Sequence, residues 1–272
     1  MREKPMNVQT LQAQVDAARA YETLFVPALF GQWAPKVADA AQIQTGQRVL
    51  DVACGTGILA RSVHSRTGRS GYVAGLDPSP GMLAVANDLA PAVDWCLGSA
   101  ESIPFPDQSF DRVVSQFGLM FFADHQQGLR EMLRVLTCGG RLVVAVWDSL
   151  VNMPAYCAEV ALLERLAGPQ AANALRAPFI LGDPENLSAM FRDAGAVSVA
   201  TTTHQGTARF PSIRAMVEAD LRGWLPAMGV MLSEEQIGRI LEESQDVLGE
   251  YAGPDGQVAF GLGAHLVVAE KS

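Results

Sequence analysis

The sequence predicts an α/β fold: a doubly wound, mostly parallel sheet with helices on both faces, an antiparallel edge strand and helical cap additions. Three observations carry this. From residue 48 onward short β-branched runs alternate with helical stretches, the pattern of parallel strands joined by crossover helices. Most of the runs are almost continuously apolar, as strands covered on both faces must be. The first run also leads into a glycine loop followed at once by helical sequence.

The elements follow in order. Val8, Leu11, Val15, Ala18, Tyr21 and Phe25 recur at spacings of three or four, one apolar face of a helix ending near Pro27. Strands are predicted at 48–52, 72–76, 94–97, 110–115 and 141–146. After Asp148 the texture turns helical, at 154–168 and 184–194. A strand at 197–204, more helix over 212–248 and a last strand at 264–269 follow, the final two strands pairing as a hairpin-like sheet edge. No internal repeat or long linker interrupts the chain, so one domain is expected over 1–272. It comprises an N-terminal helical cap (1–44), a ligand-binding core (45–148) and cap helices with the final strands (149–272).

Bulk composition excludes several classes. With 272 residues, 49% of them hydrophobic and 18% charged, the chain can bury a large core. A net charge of −9 without a basic run argues against a nucleic-acid partner. Cys54, Cys96, Cys138 and Cys157 never approach zinc-site spacing, and the N-terminus lacks a signal pattern, so a reducing cytoplasmic setting and no metal are expected. The apolar runs at 117–123 and 142–147 fall far short of the roughly 18 residues that cross a bilayer.

The stretch 49–77 reads as strand, glycine loop, helix and second strand. Gly55 and Gly57 can take positive φ and admit a ligand to bare backbone, and the following helix directs free N–H groups at it. Twenty residues after Gly57, Asp77 closes the second strand, where a carboxylate can accept from both ribose hydroxyls. These features fit an adenosine-bearing ligand of either kind. The 55–60 segment also satisfies a relaxed dinucleotide fingerprint, so a nicotinamide-dependent oxidoreductase stands as the rival. Asp51 separates the two, because a pyrophosphate gains nothing from an acid beside its loop and a cationic amino group does.

Residues 45–148 resemble the class I S-adenosylmethionine-dependent methyltransferases, in particular the group similar to ubiquinone and menaquinone biosynthesis methyltransferases. The resemblance rests on five ordered motifs: Asp51-Val-Ala-Cys-Gly-Thr-Gly57, Gly75-Leu-Asp-Pro-Ser-Pro-Gly-Met82, Gly98-Ser-Ala-Glu-Ser-Ile-Pro-Phe105, Phe110-Asp-Arg-Val-Val-Ser115 and Glu131-Met-Leu-Arg-Val-Leu-Thr-Cys-Gly-Gly140. It implies a Rossmann-like fold and S-adenosyl-L-methionine as cofactor. It further implies that Asp51 and the backbone of Ala53, Cys54, Gly55, Thr56 and Gly57 face the methionine part, and that Asp77 binds the ribose. Pro78 and Met82 would pack on the adenine, Ser99, Ala100 and Glu101 would sit at its edge, and Gln116 with Phe117 would lie near the methionine amino group.

Three positions depart from the family pattern. Ala53 replaces a glycine and suits a loop with negative φ there. Ser99 replaces an acid that accepts from the adenine amino group, a loss of about 0.5–1.5 kcal/mol unless Glu101 or a backbone carbonyl compensates. Cys138 replaces a proline before the paired glycines.

Several residues admit two readings. Cys54 at a helix N-terminus is either a reactive thiol or a small residue the loop accommodates. His125 and His204 are candidate bases, although Asp124 and Gln127 read as a helix cap that leaves His125 solvated; His64 and His265 have no motif around them. Tyr21, Phe25, Phe30 and Trp33 either line an acceptor pocket or form a packing face, and Met216, Trp224, Met228 and Met231 pose the same alternatives. The expected activity is methyl transfer to a small, apolar or aromatic acceptor held in line in a dry pocket, with no dedicated base required. A non-catalytic S-adenosylmethionine-binding protein is the alternative outside the enzymes.

Overall fold

The computed structural model describes residues 8–272; residues 1–7 and the side chains of residues 8–10 lie outside the description. Seven strands are present: β1 (Arg48–Val52), β2 (Tyr72–Asp77), β3 (Asp94–Leu97), β4 (Phe110–Gln116), β5 (Leu136–Trp147), β6 (Ser198–Phe210) and β7 (Val258–Glu270). They form one sheet in the order β3-β2-β1-β4-β5-β7-β6. The first five are parallel, and β7 runs antiparallel between β5 and β6. The chain direction of the crossovers reverses between β1 and β4, so the carboxyl ends of these two strands border a crevice at the switch point.

The helices are α1 (Val8–Phe25), α2 (Ala34–Ala40), α3 (Ile58–Thr67), α4 (Pro80–Leu89), α5 (His125–Val135), α6 (Pro154–Ala167), α7 (Pro169–Arg176), α8 (Pro184–Asp193), α9 (Ile213–Ala219), α10 (Leu225–Ala227) and α11 (Glu234–Val247). Helix α3 packs on α2, β1 and β2, and α5 packs on β4, β5 and α8. Helix α1 crosses α4 so closely that a Cβ on Gly81 would lie 2.6 Å from the backbone of Gln14. Helices α6, α7, α9 and α11 pack together as the cap.

Three sequence expectations change. The helix predicted to end near Pro27 continues from α1 into a π-helical turn, Val26–Phe30, and Leu11 on its predicted apolar stripe is 37% exposed. The helical sequence predicted over 212–248 resolves into α9, a second π-helical turn (Asp220–Trp224), α10 and α11, with Gly229 at φ +77° between the last two. Strands β6 and β7 are 13 residues each and pair along their whole length. Their extension past the sheet top is polar or glycine-rich, which hid it. Gln32 fastens it by accepting from the Thr207 N–H (2.9 Å) and donating to the Thr207 carbonyl (2.8 Å).

Candidate functional site

Asp51 ends up beneath the glycine loop, 1% exposed, with neither carboxylate oxygen in a hydrogen bond. Burial pushes its pKa well above the usual range, and the nearby Asp77 charge adds to this, while the Ala60 N–H, too poorly placed to form a hydrogen bond, opposes it. Above it the backbone takes positive φ at Ala53 (+56°), Gly55 (+55°) and Gly57 (+84°). Gly55 donates its N–H to Asp77 Oδ2 (2.9 Å) and Ser79 donates to Asp77 Oδ1 (2.9 Å). Each Asp77 oxygen therefore keeps a free lone pair. Burial raises the Asp77 pKa, against the lowering effect of those two N–H groups.

The negative φ expected at Ala53 is corrected: the residue is left-handed, a conformation that costs a non-glycine residue roughly 1–2 kcal/mol. Space for its methyl comes from Gly118, where any Cβ would lie 2.5 Å from the Ala53 Cβ. Gly57 serves packing as well as the turn, since a Cβ there would meet the Trp95 ring at 2.3 Å. Trp95 is thus a structural determinant of the loop that sequence reasoning missed.

Helix α1 clasps the loop from above. Thr56 Oγ1 donates to Glu22 Oε2 (2.5 Å), and Arg61 donates to Glu22 Oε1 (2.7 Å) and to the Thr56 carbonyl (2.6 Å). This puts Tyr21 over the site. Tyr21, Asp51, Ala53 and Cys54 with Gly55 and Thr56 enclose a cavity of about 390 Å³, completed by Ile58, Leu59, Gln116 and Phe117. Gln116 donates to the Phe30 carbonyl (3.2 Å) and its Oε1 is buried without a partner. Burial, with the charges of Asp77 and Glu22, keeps the Tyr21 phenol protonated.

Tyr21 and Phe117 are shared with a second cavity of about 590 Å³. Phe117 sits at φ +57°, a strained conformation for a bulky residue, and its ring stacks on Trp147 with centroids 3.7 Å apart. The two π-helical turns supply Leu29 and Phe30 on one side and Asp220 and Trp224 on the other; Phe25, Phe121, Tyr156 and Phe179 complete most of an aromatic wall. Asp220 is the one carboxylate in that lining, 4% exposed, with Glu159 fully buried behind it.

The structure gathers Asp51, Ala53, Cys54, Gly55, Thr56, Gln116 and Phe117 into one cavity, and ties Asp77 to it through Gly55. Pro78 is exposed beside Asp77, and Met82, half-buried, opens α4 with its N–H on Ser79 Oγ (3.3 Å). Ser99 donates to Glu101 Oε2 (2.6 Å), and Glu101 Oε1 accepts the Ala123 N–H (2.7 Å), so both residues next to the buried Ala100 are engaged within the protein. Burial works to raise the Glu101 pKa, but the Ser99 hydroxyl and backbone N–H groups lower it on balance.

Burial also pushes the Cys54 thiol well up, which removes the thiolate a nucleophile needs. Asp124 caps α5 through the Gln127 N–H (2.9 Å), and His204 bonds Thr202 Oγ1 (2.9 Å) on β6; neither His125 nor His204 lines either of the two cavities. Trp33 and Met216 are core, whereas Met228 and Met231 are exposed. Glu22, Tyr156, Glu159 and Asp220 carried no motif. Their spacing along α1, α6 and the second π-helical turn gave no signal separable from packing. Among the described residues no group of three metal-ligating side chains occurs, and no helix is long and apolar enough to cross a membrane.

Residues 50–144 match the family described as "Methyltransferase domain". The chain is 36% identical over 144 residues to a 2-phytyl-1,4-naphtoquinone methyltransferase of Thermosynechococcus vestitus, covering 51% of this chain and 63% of the relative. It is 43% identical over 115 residues to a ubiquinone/menaquinone biosynthesis C-methyltransferase of Xanthomonas oryzae, covering 40% and 46%. The chain thus spans about half the length of the curated relatives it matches. Among solved structures, the YcgJ protein of Bacillus subtilis superposes with a TM-score of 0.58 at 21% identity, over 88% of this chain and 98% of that one. A Haemonchus contortus phosphoethanolamine N-methyltransferase, solved with S-adenosylhomocysteine, gives 0.59 at 18% identity over 96% and 58%. These likenesses establish the fold.

Proposed function

We propose that this chain, whose residues 50–144 carry a methyltransferase domain, moves a methyl group from S-adenosyl-L-methionine to a small apolar or aromatic acceptor. The observation that carries the reading is the shared wall: Tyr21 and Phe117 separate a loop cavity floored by an orphaned acid from an aromatic chamber. Two adjoining compartments of opposite polarity suit two substrates that must meet end to end.

The residues fit the cofactor. Asp51, buried without a donor, gains from a cationic amino group and resists a pyrophosphate, which disfavours the nicotinamide reading. The backbone of Ala53, Cys54, Gly55, Thr56 and Gly57 with Gln116 would hold the methionine part, and Asp77 the ribose through its spare lone pairs. Pro78 and Met82 would pack on the adenine, with Ser99, Ala100 and Glu101 at its edge. When bound, the cofactor supplies a sulfonium whose methyl is already electrophilic.

What the protein adds is position and dryness. Phe117, braced on Trp147, fixes the partition between the compartments, and Tyr21 closes it from α1 while Glu22 keeps that helix on the loop. The quinone names carried by the curated relatives describe apolar ring systems, and the lining suits that class. The three segments 1–44, 45–148 and 149–272 then act as lid, cofactor core and acceptor cap of a single domain.

A thermal-shift comparison of S-adenosylhomocysteine with NAD tests the cofactor. At 100 times Kd the homocysteine ligand should stabilise by about 2.7 kcal/mol. No shift, or a larger one with NAD, would overturn the assignment. Incorporation of labelled methyl into an apolar cell-extract fraction tests the transfer.

A further inference from the structure

We infer that Asp220, backed by Glu159, holds a hydrogen-bond donor of the acceptor inside the aromatic chamber, so that acceptors carry a hydroxyl or amino group on an otherwise apolar body. This rests on the reading of the chamber as the acceptor site. Asp220 opens the second π-helical turn and lines the chamber, and Glu159 on α6 is fully buried and interacts with Asp220 from outside the lining. Among the described residues no donor reaches either Glu159 oxygen or Asp220 Oδ2. The bond left to the pair is one with each other through a proton, which requires at least one carboxyl protonated; with Glu159 carrying it, Asp220 is the member free to ionise. Burial raises both pKa values, and a hydrogen bond from Glu159 works in the opposite direction on Asp220, favouring its carboxylate.

Two further observations direct this pair at a ligand. First, a buried ionisable pair is a poor stabilising device, since apolar side chains of the same volume do as well or better. In an aromatic wall with no other carboxylate, such a pair is matched by a polar group of a ligand and not by the wall itself. Second, the other polar groups nearby are less suited to that work. Trp224 Nε1 already donates to the Ala174 carbonyl (2.9 Å), and Tyr156 is buried with its phenol held protonated by burial and by the Asp220 charge. A single acceptor in an apolar pocket fixes orientation, because a ligand without a matching donor leaves the carboxylate desolvated and unpaired. A carboxylate- or phosphate-bearing molecule is repelled at the same point.

The test uses a matched probe set, 1-naphthol, 1-naphthylamine, 1-methoxynaphthalene and 1-naphthoate, titrated calorimetrically into the full chain with and without S-adenosylhomocysteine. The naphthol, the amine or both should bind at least tenfold more tightly than the methoxy compound, and the naphthoate least. The ranking of naphthol against amine tells which donor is preferred. Asp220→Leu should erase the preference, and Asp220→Asn, which keeps the shape, should reduce it at least threefold. Equal binding of all four probes, binding of none, or an unchanged preference in the variants overturns the inference. The wild-type ranking needs no variant to fold. Failure of S-adenosylhomocysteine itself to bind is read in a separate titration and counts against the cofactor assignment alone.

Discussion

Ala53 and Gly118 compete for one space: a Cβ on Gly118 would lie 2.5 Å from the Ala53 Cβ. Gly118 itself has φ −103°, which any residue tolerates, so the requirement there is room and not backbone freedom. Gly118→Ala should therefore cost about 1–3 kcal/mol by overpacking the loop. Ala53→Gly removes both the left-handed strain and the opposing methyl, and in the double variant it should restore at least about 1 kcal/mol of that loss. Urea melts of the four proteins measure the coupling; strictly additive costs would show that the two positions do not compete.

Glu22 is the point where the lid helix grips the loop. Its two oxygens take the Thr56 hydroxyl and the Arg61 guanidinium. Glu22→Ala leaves both donors without their acceptor and weakens the lid by about 1.5–3 kcal/mol, the range for charge-assisted bonds. Stopped-flow dissociation of S-adenosylhomocysteine should quicken about tenfold or more. An unchanged dissociation rate would mean that α1 does not gate the cavity.

Asp51 ties function to a stability cost. Its folded-state pKa lies above the unfolded value, so the folded protein binds the extra proton and stability falls as pH rises from about 4 through the folded pKa. Asp51→Asn should thus melt like the parent at acid pH and at higher temperature near pH 8, while S-adenosylhomocysteine affinity drops about tenfold or more through the lost charge. A variant less stable at pH 8, or equal in affinity, would contradict the role given to the acid.

The parts legible in the sequence are those written in local pattern. The five parallel strands, the glycine loop and Asp77 announced themselves because apolar runs, paired glycines and an acid at a strand end are each encoded within a few residues. Phe117 was reached only through the family resemblance, which put it with Gln116 near the methionine amino group. The polar half of the aromatic chamber was not reached at all. Asp220 and Glu159 lie 61 residues apart and meet only after α6 and the second π-helical turn fold over the sheet. A π-helical turn depends on one inserted residue, which leaves the apolar spacing almost unchanged and is invisible to a 3.6-residue period. The Ala53 conformation was misread for a related reason: its permission comes from Gly118, a contact that no loop-local rule contains.

Phe117 offers the sharpest separation of the two compartments. Its ring stacks on Trp147 and touches both cavities, and its strained backbone is held by an N–H bond to the Ala145 carbonyl (2.8 Å). Phe117→Leu keeps an apolar group of similar reach but loses the flat face that aligns the acceptor, at a stability cost of about 1 kcal/mol. Because the polar contacts of the loop cavity survive, the Kd for S-adenosylhomocysteine should stay within about threefold. Methyl incorporation into the apolar cell-extract fraction at saturating cofactor should fall about tenfold or more, since misplacement of the acceptor is felt only in the transfer step. Equal losses in binding and transfer would assign Phe117 to the cofactor alone, and an undiminished transfer rate would remove it from the partition between the two substrates.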